Sequence, residues 1–389
     1  MVKVSTAGSF SRNCVRIETP ARRRSDRATA RNQPMTRSVE RGAVNAHTHI
    51  YSGLAPLGMP PPLNRPRNFL EILKNVWWRL DRALDAESLR AAARYYVAES
   101  LLSGTSTLID HHESPNFING SLDILADACS ELGIRALICY GATERNGGRD
   151  EARRGLAECR RFVVSNRRPG IVGAVALHAS FTVSDETVRD AGELCRALKT
   201  VMHVHVAEDR ADGDDAIRRG YRDPLERLFA LGALPTGSLL AHGVHLGVAS
   251  MRRASEARLW IVQNPRSNRG NGVGYPVALR YASRVALGTD GYPSRMEDEI
   301  EALHHEASAR GEEDEDVQKR IDGGEALARE LFGDATHEVT REKGRVVAMR
   351  IGDRSVVENG KLVNGDIEEI HAYAHEQAAR LWKRMAENG

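Results

Sequence analysis

Cysteine, net charge and long apolar runs are all scarce in this sequence, and each shortage excludes a class of protein. The five cysteines among 389 residues form no Cys-x-x-Cys pair, which argues against a disulfide framework and favours reduced thiols in a cytoplasmic protein. No apolar run approaches the roughly 18 residues that span a bilayer, and the formal net charge is only +2. We therefore expect a globular protein whose partner is a small molecule, and neither nucleic acid nor a membrane surface.

The amino-terminal region lacks any helical or alternating apolar period and is rich in Arg, Ser and Thr. This composition predicts a disordered or atypical leading segment over residues 1–42. Residues 43–335 are expected to form the main domain. Residues 336–389 contain strand-like stretches with Gly-Asp and Asn-Gly turns, then a helical pattern, which predicts the last strands of a small β domain plus a terminal helix.

Short apolar strands alternate with amphipathic helical stretches throughout the main domain. One such stretch, AESLRAAARYYVAESLLSG, keeps a single apolar side and ends at Gly104. The predicted strands are Val44 to His49, Ser106 to His111, Arg135 to Tyr140, Ile171 to Leu177, Val201 to Ala207, Ser238 to His242, Leu259 to Gln263 and Val285 to Thr289. Such a series of β-α units predicts an α/β fold, a closed (β/α)8 barrel of the TIM type. A doubly wound open sheet is disfavoured, because no Gly-x-Gly-x-x-Gly loop follows the first strand.

Side chains that can bind a metal or move a proton end most of the predicted strands. His47 and His49 share one face of the first strand, about 6–7 Å apart along the backbone. Comparable residues end other strands, namely His111, His112, Glu113, His178, His203, His205, Glu208, His242 and Asp290. Each of them alone could be a hydrogen-bonded or turn residue. In a barrel, however, the carboxyl ends of the strands meet at one rim, so their joint placement favours a common site there.

Five spaced motifs give the sequence a specific resemblance. NAHTH, HVHVAED, AHGVH, QNPRSN and LGTDG occur in that order between Val44 and Arg310. Together they resemble the amidohydrolase superfamily, in its cytosine, guanine and adenosine-analogue deaminase and chlorohydrolase branch. NFLEILKNVWWRLDRALD and LIDHHESPNF resemble the SsnA-type aminohydrolases of that branch. The resemblance implies the same barrel and a hydrolase that acts on carbon-nitrogen bonds other than peptide bonds.

The resemblance also implies a set of metal ligands. His47 and His49 match the pair on the first strand, His205 matches the ligand three residues before the glutamate Glu208, and Asp290 matches the carboxylate after the last strand. Three imidazoles and one carboxylate suit Zn²⁺, with Fe²⁺ as the alternative. Two-metal relatives carry a modified lysine at the end of strand four, where this chain reads VALHASF, so we expect one metal ion.

The reaction implied by the resemblance is hydrolytic deamination. A metal-bound hydroxide would attack an aminated N-heterocycle such as a pyrimidine, purine, pterin or triazine, and ammonia would leave. Asp290 would take the proton of the water, Glu208 would carry it to a ring nitrogen, and His242 would orient the hydroxide or steady the developing charge. His178 would bind the substrate. Guanine-like recognition is disfavoured, because YSGLAPLGMPPP follows the first strand in place of the Gln and Arg of guanine-type relatives.

Two other functions stay open at this stage. A cyclic amide hydrolase of the dihydroorotase or hydantoinase type would need the strand-four lysine, and Lys199 lies at the wrong end of strand five. A barrel that has lost activity and serves as a binding protein would show a broken ligand, and the four matched ligands are intact.

The roles of some residues are also open. His203 is a reserve ligand, because it shares a strand face with the fifth-strand ligand. His111 and His112 either border the pocket or form hydrogen bonds in a loop, and Trp77 and Trp78 either pack in the core or stack on a flat ring.

The small β-sandwich of the relatives includes strands before the first barrel strand, and the leading segment shows no strand pattern. The trailing strands would then lack hydrogen-bond partners and expose their edges. We therefore expect a homodimer that covers them.

Overall fold

A computed structural model of the chain describes residues 37–387. Its strands are β1 (Arg37–Arg41), β2 (Ala43–Thr48), β3 (Thr105–Asp110), β4 (Arg135–Ile138), β5 (Gly141–Ala142), β6 (Ile171–Gly173), β7 (Val175–Ala179), β8 (Met202–Val206), β9 (Leu239–His242), β10 (Trp260–Gln263), β11 (Val285–Leu287), β12 (His337–Glu342), β13 (Arg345–Ile351), β14 (Arg354–Glu358) and β15 (Lys361–Leu362). Its α-helices are α1 (Phe69–Ile72), α2 (Trp78–Ala83), α3 (Ala86–Ser103), α4 (Ser121–Leu132), α5 (Gly148–Ser165), α6 (Asp185–Leu198), α7 (Arg210–Arg218), α8 (Pro224–Ala230), α9 (Val248–Glu256), α10 (Pro265–Gly270), α11 (Met296–Ser308), α12 (Asp314–Phe332) and α13 (Ile367–Glu387).

The parallel strands close into the predicted barrel. Hydrogen bonds run from β2 through β3 and β4 to β6, and from β7 through β8, β9 and β10 to β11. The ring closes where β11 returns to β2, because the amides of Thr289 and Asp290 donate to the His47 carbonyl at 2.9 and 3.0 Å. Gly288 allows this approach, since a Cβ there would meet the His47 carbonyl oxygen at 2.6 Å. The α/β barrel predicted from the sequence is therefore confirmed.

The fourth predicted strand differs in detail from the prediction. Ile171 to Leu177 is not one strand, because β6 pairs with β4 on one side and β7 pairs with β8 on the other, with Ala174 between them. Helix α5 packs directly against the backbone at this break. A Cβ on Gly173 would meet the Val163 side chain at 2.8 Å.

Local sequence signals set the ends of the barrel helices. Helix α3 begins with a capping box in which Asp85 and Ser88 satisfy each other's backbone amides. It ends at Gly104, and α4 ends at Gly133, each in the left-handed conformation that glycine adopts without steric cost. Both endings agree with the sequence pattern.

A separate antiparallel sheet has the order β1-β12-β13-β14-β15. Strand β1 pairs with β12 from Arg37 opposite Glu342 to Arg41 opposite Glu338. The leading segment therefore does supply a strand, and the expectation that it has none was wrong for these residues. The signal was missing because β1 lies at the edge of the sheet with no buried face, and its one large apolar side chain, Val39, is 61% exposed. Residues 1–36, the rest of the predicted atypical segment, lie outside the described part of the chain.

The helices and the cysteines within residues 37–387 match what the composition predicts. None of the helices there combines the length and the apolar character needed to cross a bilayer. Cys129, Cys139, Cys159 and Cys195 are buried free thiols, and Cys14 is outside the described residues.

Candidate metal centre

Four side chains that lie far apart in the sequence converge at the carboxyl ends of the barrel strands. They are supplied by β2, the end of β8 and the residues after β11, and their donor atoms all lie within 4.8 Å of one another: His47, His49, His205 and Asp290. Asp290 Oδ1 lies 2.8 Å from His49 Nε2 and 3.5 Å from His47 Nε2. His205 Nε2 lies 3.3 Å from His49 Nε2. The sequence-predicted ligand set is therefore brought together at one point.

Each of the three imidazoles is held through its Nδ1 atom. His47 Nδ1 lies 2.9 Å from His203 Nε2, and His49 Nδ1 contacts the His111 carbonyl at 2.5 Å. His205 Nδ1 contacts the His178 carbonyl. Such contacts fix the ring orientation and leave Nε2 as the free donor. His47 Nε2 is buried and has no hydrogen-bond partner within residues 37–387, which is the state of an atom placed to bind a cation.

Strained backbone marks two of the strand ends. Asp290 has φ +54° and His242 has φ +74°, a region that non-glycine residues rarely adopt. The surrounding barrel has to hold them there, and such strain accumulates at functional sites. It points both side chains into the rim.

Burial and charge prepare the imidazoles for a metal. Burial lowers the pKa of His47 to about 3 and also lowers the pKa of His205. Burial lowers the pKa of His49 as well, but the carboxylates of Glu113 and Asp290 outweigh it and raise that pKa to about 10. Burial opposes ionisation of Asp290, but the neighbouring imidazoles of His47 and His49 hold the pKa of Asp290 well below its usual value. Two neutral imidazoles and an ionised carboxylate fit a divalent cation, and a cation bound at this point would displace the proton of His49.

A second carboxylate, Glu208, lies beside the cluster. Its Oε2 atom is 3.5 Å from His242 Nε2, which in turn is 4.0 Å from Asp290 Oδ2. Burial and the like charge of Asp290 raise the pKa of Glu208 well above its usual value. Glu208 can therefore hold a proton near neutral pH, as a proton donor must.

Helix α10 supplies contacts that the sequence analysis did not assign. Ser267 donates to Asp290 Oδ2, Asn268 Oδ1 lies 2.9 Å from His242 Nδ1, and Asn271 donates to Glu208 Oε1 at 3.3 Å. The signal was the i, i+4 spacing of Ser267 and Asn271, which places both on one face of a helix. The motif QNPRSN thus holds two of these residues, Ser267 and Asn268, and Asn271 follows three residues after it.

The structure shows the contacts of three histidines whose roles the sequence left undecided. His203 lies one layer below His47, with its Nδ1 3.7 Å from Cys139 Sγ, so it supports a ligand and is not among the converging donors. His111 contacts Glu113 Oε1 at 2.8 Å and the Leu177 carbonyl at 3.1 Å. His112 contacts Ser114 Oγ at 2.8 Å, which is the loop hydrogen-bond role.

A cavity with a volume of about 50 Å³ opens onto the cluster. His178 forms part of its wall, with Nδ1 3.1 Å from Thr182 Oγ1. The apolar part of the lining comes from Tyr51, Phe69, Leu73, Trp77, Trp78 and Phe181. Both tryptophans therefore face the cavity. Lys199 is the C-terminal cap of α6, at the amino end of β8 and on the far side of the barrel.

Comparison with known proteins agrees with this geometry. The family model described as amidohydrolase family matches residues 39–314. A solved adenosine deaminase from Xanthomonas campestris with bound zinc has a TM-score of 0.75 at 21% identity, and the match covers 89% of this chain and 86% of that one. A solved atrazine chlorohydrolase from Arthrobacter aurescens complexed with zinc has a TM-score of 0.72 at 19% identity, with 88% of both chains covered. These structures support the fold.

Curated relatives are more similar in sequence. The 8-oxoguanine deaminase of Pseudomonas aeruginosa is 31% identical over 271 residues, which are 65% of this chain and 59% of that protein. The 5'-deoxyadenosine deaminase of Methanopyrus kandleri is 30% identical over 65% of this chain and 57% of its own length. The chain thus spans somewhat less than two thirds of these two relatives. Because the family model covers most of the chain, the resemblance drawn from the motifs is confirmed, and the chain belongs to the amidohydrolase family.

Proposed function

We propose that this chain is a metal-dependent aminohydrolase that releases ammonia from an aminated N-heterocycle. The observation that carries the proposal is the convergence of three imidazoles and one carboxylate within 4.8 Å, with Glu208 and His242 beside them and an aromatic-walled cavity above. The relatives named as deaminases of 8-oxoguanine and 5'-deoxyadenosine support the same class of reaction.

His47, His49, His205 and Asp290 would hold one divalent ion. The donor set suits Zn²⁺, with Fe²⁺ as the alternative, and zinc-containing neighbours support Zn²⁺. When bound, such an ion supplies a Lewis acid that makes water reactive near neutral pH and polarises the group under attack.

The protein's own groups then move the protons. Asp290, which is ionised, accepts a proton from the attacking water and later passes it to the exocyclic amine, which leaves as ammonia. Glu208, whose pKa is raised by burial and by Asp290, donates a proton from Oε2 to a nitrogen of the substrate ring while Asn271 holds Oε1. Glu208 then takes a proton from the new hydroxyl group as the carbonyl forms. His242 Nε2 lies between these two carboxylates. It stabilises the charge that develops on the atoms bonded to the attacked carbon.

Substrate position would come from the cavity wall. His178 lies on the same side as His205, with ring centroids 5.6 Å apart, so it can contact the ring or its leaving side. The indoles of Trp77 and Trp78 offer flat apolar surfaces for a heterocycle. The reaction forms a carbon-oxygen bond, breaks the bond to the exocyclic amine and consumes one water.

Ammonia release with metal analysis on the same preparation tests the proposal. Aminated pyrimidines, purines, pterins and triazines are incubated with the full chain after loading with Zn²⁺, and with the Glu208→Gln variant as a matched control. At least one class of ring should release ammonia in the wild type, and the variant should keep its metal with much lower turnover. Ring opening without ammonia would instead indicate a cyclic amide hydrolase, and metal-free protein that gains no turnover with Zn²⁺ would contradict the proposal.

A further inference from the structure

Helix α2 presents to the cavity two polar groups that the proposed reaction does not use, the indole N–H of Trp78 and the carboxylate of Asp81. Trp78 and Asp81 both line the cavity and stand three residues apart, on one face of the helix. Asp81 is 1% exposed. Neither the indole Nε1 of Trp78 nor the Oδ1 atom of Asp81 has a hydrogen-bond partner in the part of the chain that the structure describes.

Buried polar groups are normally satisfied, because an unpaired donor or acceptor keeps its full cost of desolvation. Here an unpaired N–H donor and an unpaired carboxylate oxygen occur together in a cavity wall. A folded protein keeps such an unpaired donor and acceptor where a ligand will hydrogen-bond to both. Binding of the ligand then offsets the desolvation cost of the two unpaired groups.

Arg145 keeps the Asp81 carboxylate in place. Its Nη2 atom lies 2.8 Å from Asp81 Oδ2, its side chain is only 4% exposed, and its Cζ atom stacks 4.8 Å from the Trp78 ring centroid. Burial raises the pKa of Asp81 to about 6 in spite of this partner, so the carboxylate is ionised at pH 8. Arg145 is a positioning residue for the other two.

The location of the pair decides which part of a substrate it would meet. The His178 ring is adjacent both to the Trp78 ring, at 6.2 Å, and to the ring of the ligand His205, at 5.6 Å, whereas neither Trp78 nor Asp81 belongs to the converging donors. With the reacting amine at those donors, Trp78 and Asp81 would meet a more distant part of the heterocycle.

We propose that Trp78 and Asp81 bind a cyclic amide or urea edge on the substrate ring, with Trp78 Nε1 donating to its carbonyl oxygen and Asp81 Oδ1 accepting from its N–H. This proposal rests on the proposed function for the position of the ring. It narrows the substrate to an aminated heterocycle that carries an adjacent C=O and N–H away from the exocyclic amine. A donor and an acceptor fixed on one helix face fit the rigid, planar edge of a ring amide. If the pair instead bound the hydroxyl groups of a ribosyl group, adenosine would be the better ligand.

Adenine and 8-oxoadenine are matched probes, because both carry the same exocyclic amine and only the second adds a ring carbonyl flanked by N–H groups. Their dissociation constants are measured by calorimetry at pH 8 with the zinc-loaded full chain, and adenosine is the third probe. The wild type should bind 8-oxoadenine roughly tenfold or more tightly than adenine. Equal affinities, no binding of 8-oxoadenine, or tighter binding of adenosine would overturn the proposal.

Three variants test the assignment to residues. Trp78→Phe removes only the indole N–H, and Asp81→Asn removes the carboxylate. Each should cut the ratio of the two affinities, 8-oxoadenine over adenine, to about threefold or less. Trp260→Phe is the matched control, because its indole N–H also lacks a partner within residues 37–387 but lies in a core cluster away from the cavity. If Asp81→Asn fails to fold, Trp78→Phe decides alone.

Ammonia measurements on the same samples separate the two proposals. A preference for 8-oxoadenine without ammonia release from any probe would support the amide-edge site and count against the deaminase. Ammonia release with equal use of adenine and 8-oxoadenine would support the deaminase and overturn the amide-edge site.

Discussion

His203 gives the sharpest test of how the metal ligands are supported. It is fully buried, and its Nε2 atom lies 2.9 Å from Nδ1 of His47. In the His203→Leu variant that contact is lost, and His47 Nδ1 is left buried without a partner. Removal of a group that orients a metal ligand typically costs 10–100-fold in metal affinity, which is about 1.4–2.8 kcal/mol at tenfold per 1.4 kcal/mol.

The assay is a competition titration of metal-free protein with Zn²⁺ against a chelating indicator. His203→Leu should still bind about one ion, with the dissociation constant raised about 10–100-fold. Cys139→Ala is the matched control, because it removes the neighbour 3.7 Å from the other nitrogen of His203 and leaves the contact with His47 intact. Its affinity should change little.

Two results would refute this reasoning. Complete loss of the ion, as expected for His205→Ala, would make His203 a ligand. Wild-type affinity would show that the contact with His203 does not orient His47. Thermal melts of both variants check that the fold is retained.

Three further predictions follow from the same geometry. Glu208→Gln should keep its metal and lose about 10²–10⁴-fold in kcat, because an amide cannot donate the proton; metal loss, measured beside ammonia release, would contradict that role. Gly288→Ala should lower the free energy of unfolding by about 1–3 kcal/mol in urea titrations, since its Cβ would meet the His47 carbonyl at 2.6 Å, and an unchanged midpoint would speak against tight barrel closure. Deletion of residues 1–36 should leave the metal content unchanged, and metal loss would show that this segment is part of the fold.

The barrel and its ligand cluster could be predicted from sequence because both depend on repeating local patterns. The series of apolar strands predicted the barrel. The polar residues at the ends of those strands, such as His205 and Asp290, predicted a site at the rim. The edge strand Arg37–Arg41 gave no such pattern, because neither of its faces is buried. A rule based on apolar periodicity cannot find a strand that is held by backbone hydrogen bonds and by exposed ion pairs such as that between Glu40 and Arg341.

The supporting residues were harder to foresee for a different reason. The i, i+4 spacing places Ser267 and Asn271 on one helix face, but nothing in the local sequence shows that Asn271 meets Glu208. Asp81 lies on a helix after the first strand, where no strand-end rule applies. Such contacts depend on how loops of different strands pack against each other.

The central claim is that one metal ion is held by His47, His49, His205 and Asp290. X-ray absorption at the zinc edge, on full chain loaded with one equivalent of Zn²⁺, tests it most directly. We expect only nitrogen and oxygen neighbours, at about 2.0–2.2 Å, and loss of the bound ion in Asp290→Ala. A sulfur neighbour at about 2.3 Å, or a bound ion that survives Asp290→Ala with the same spectrum, would contradict the account.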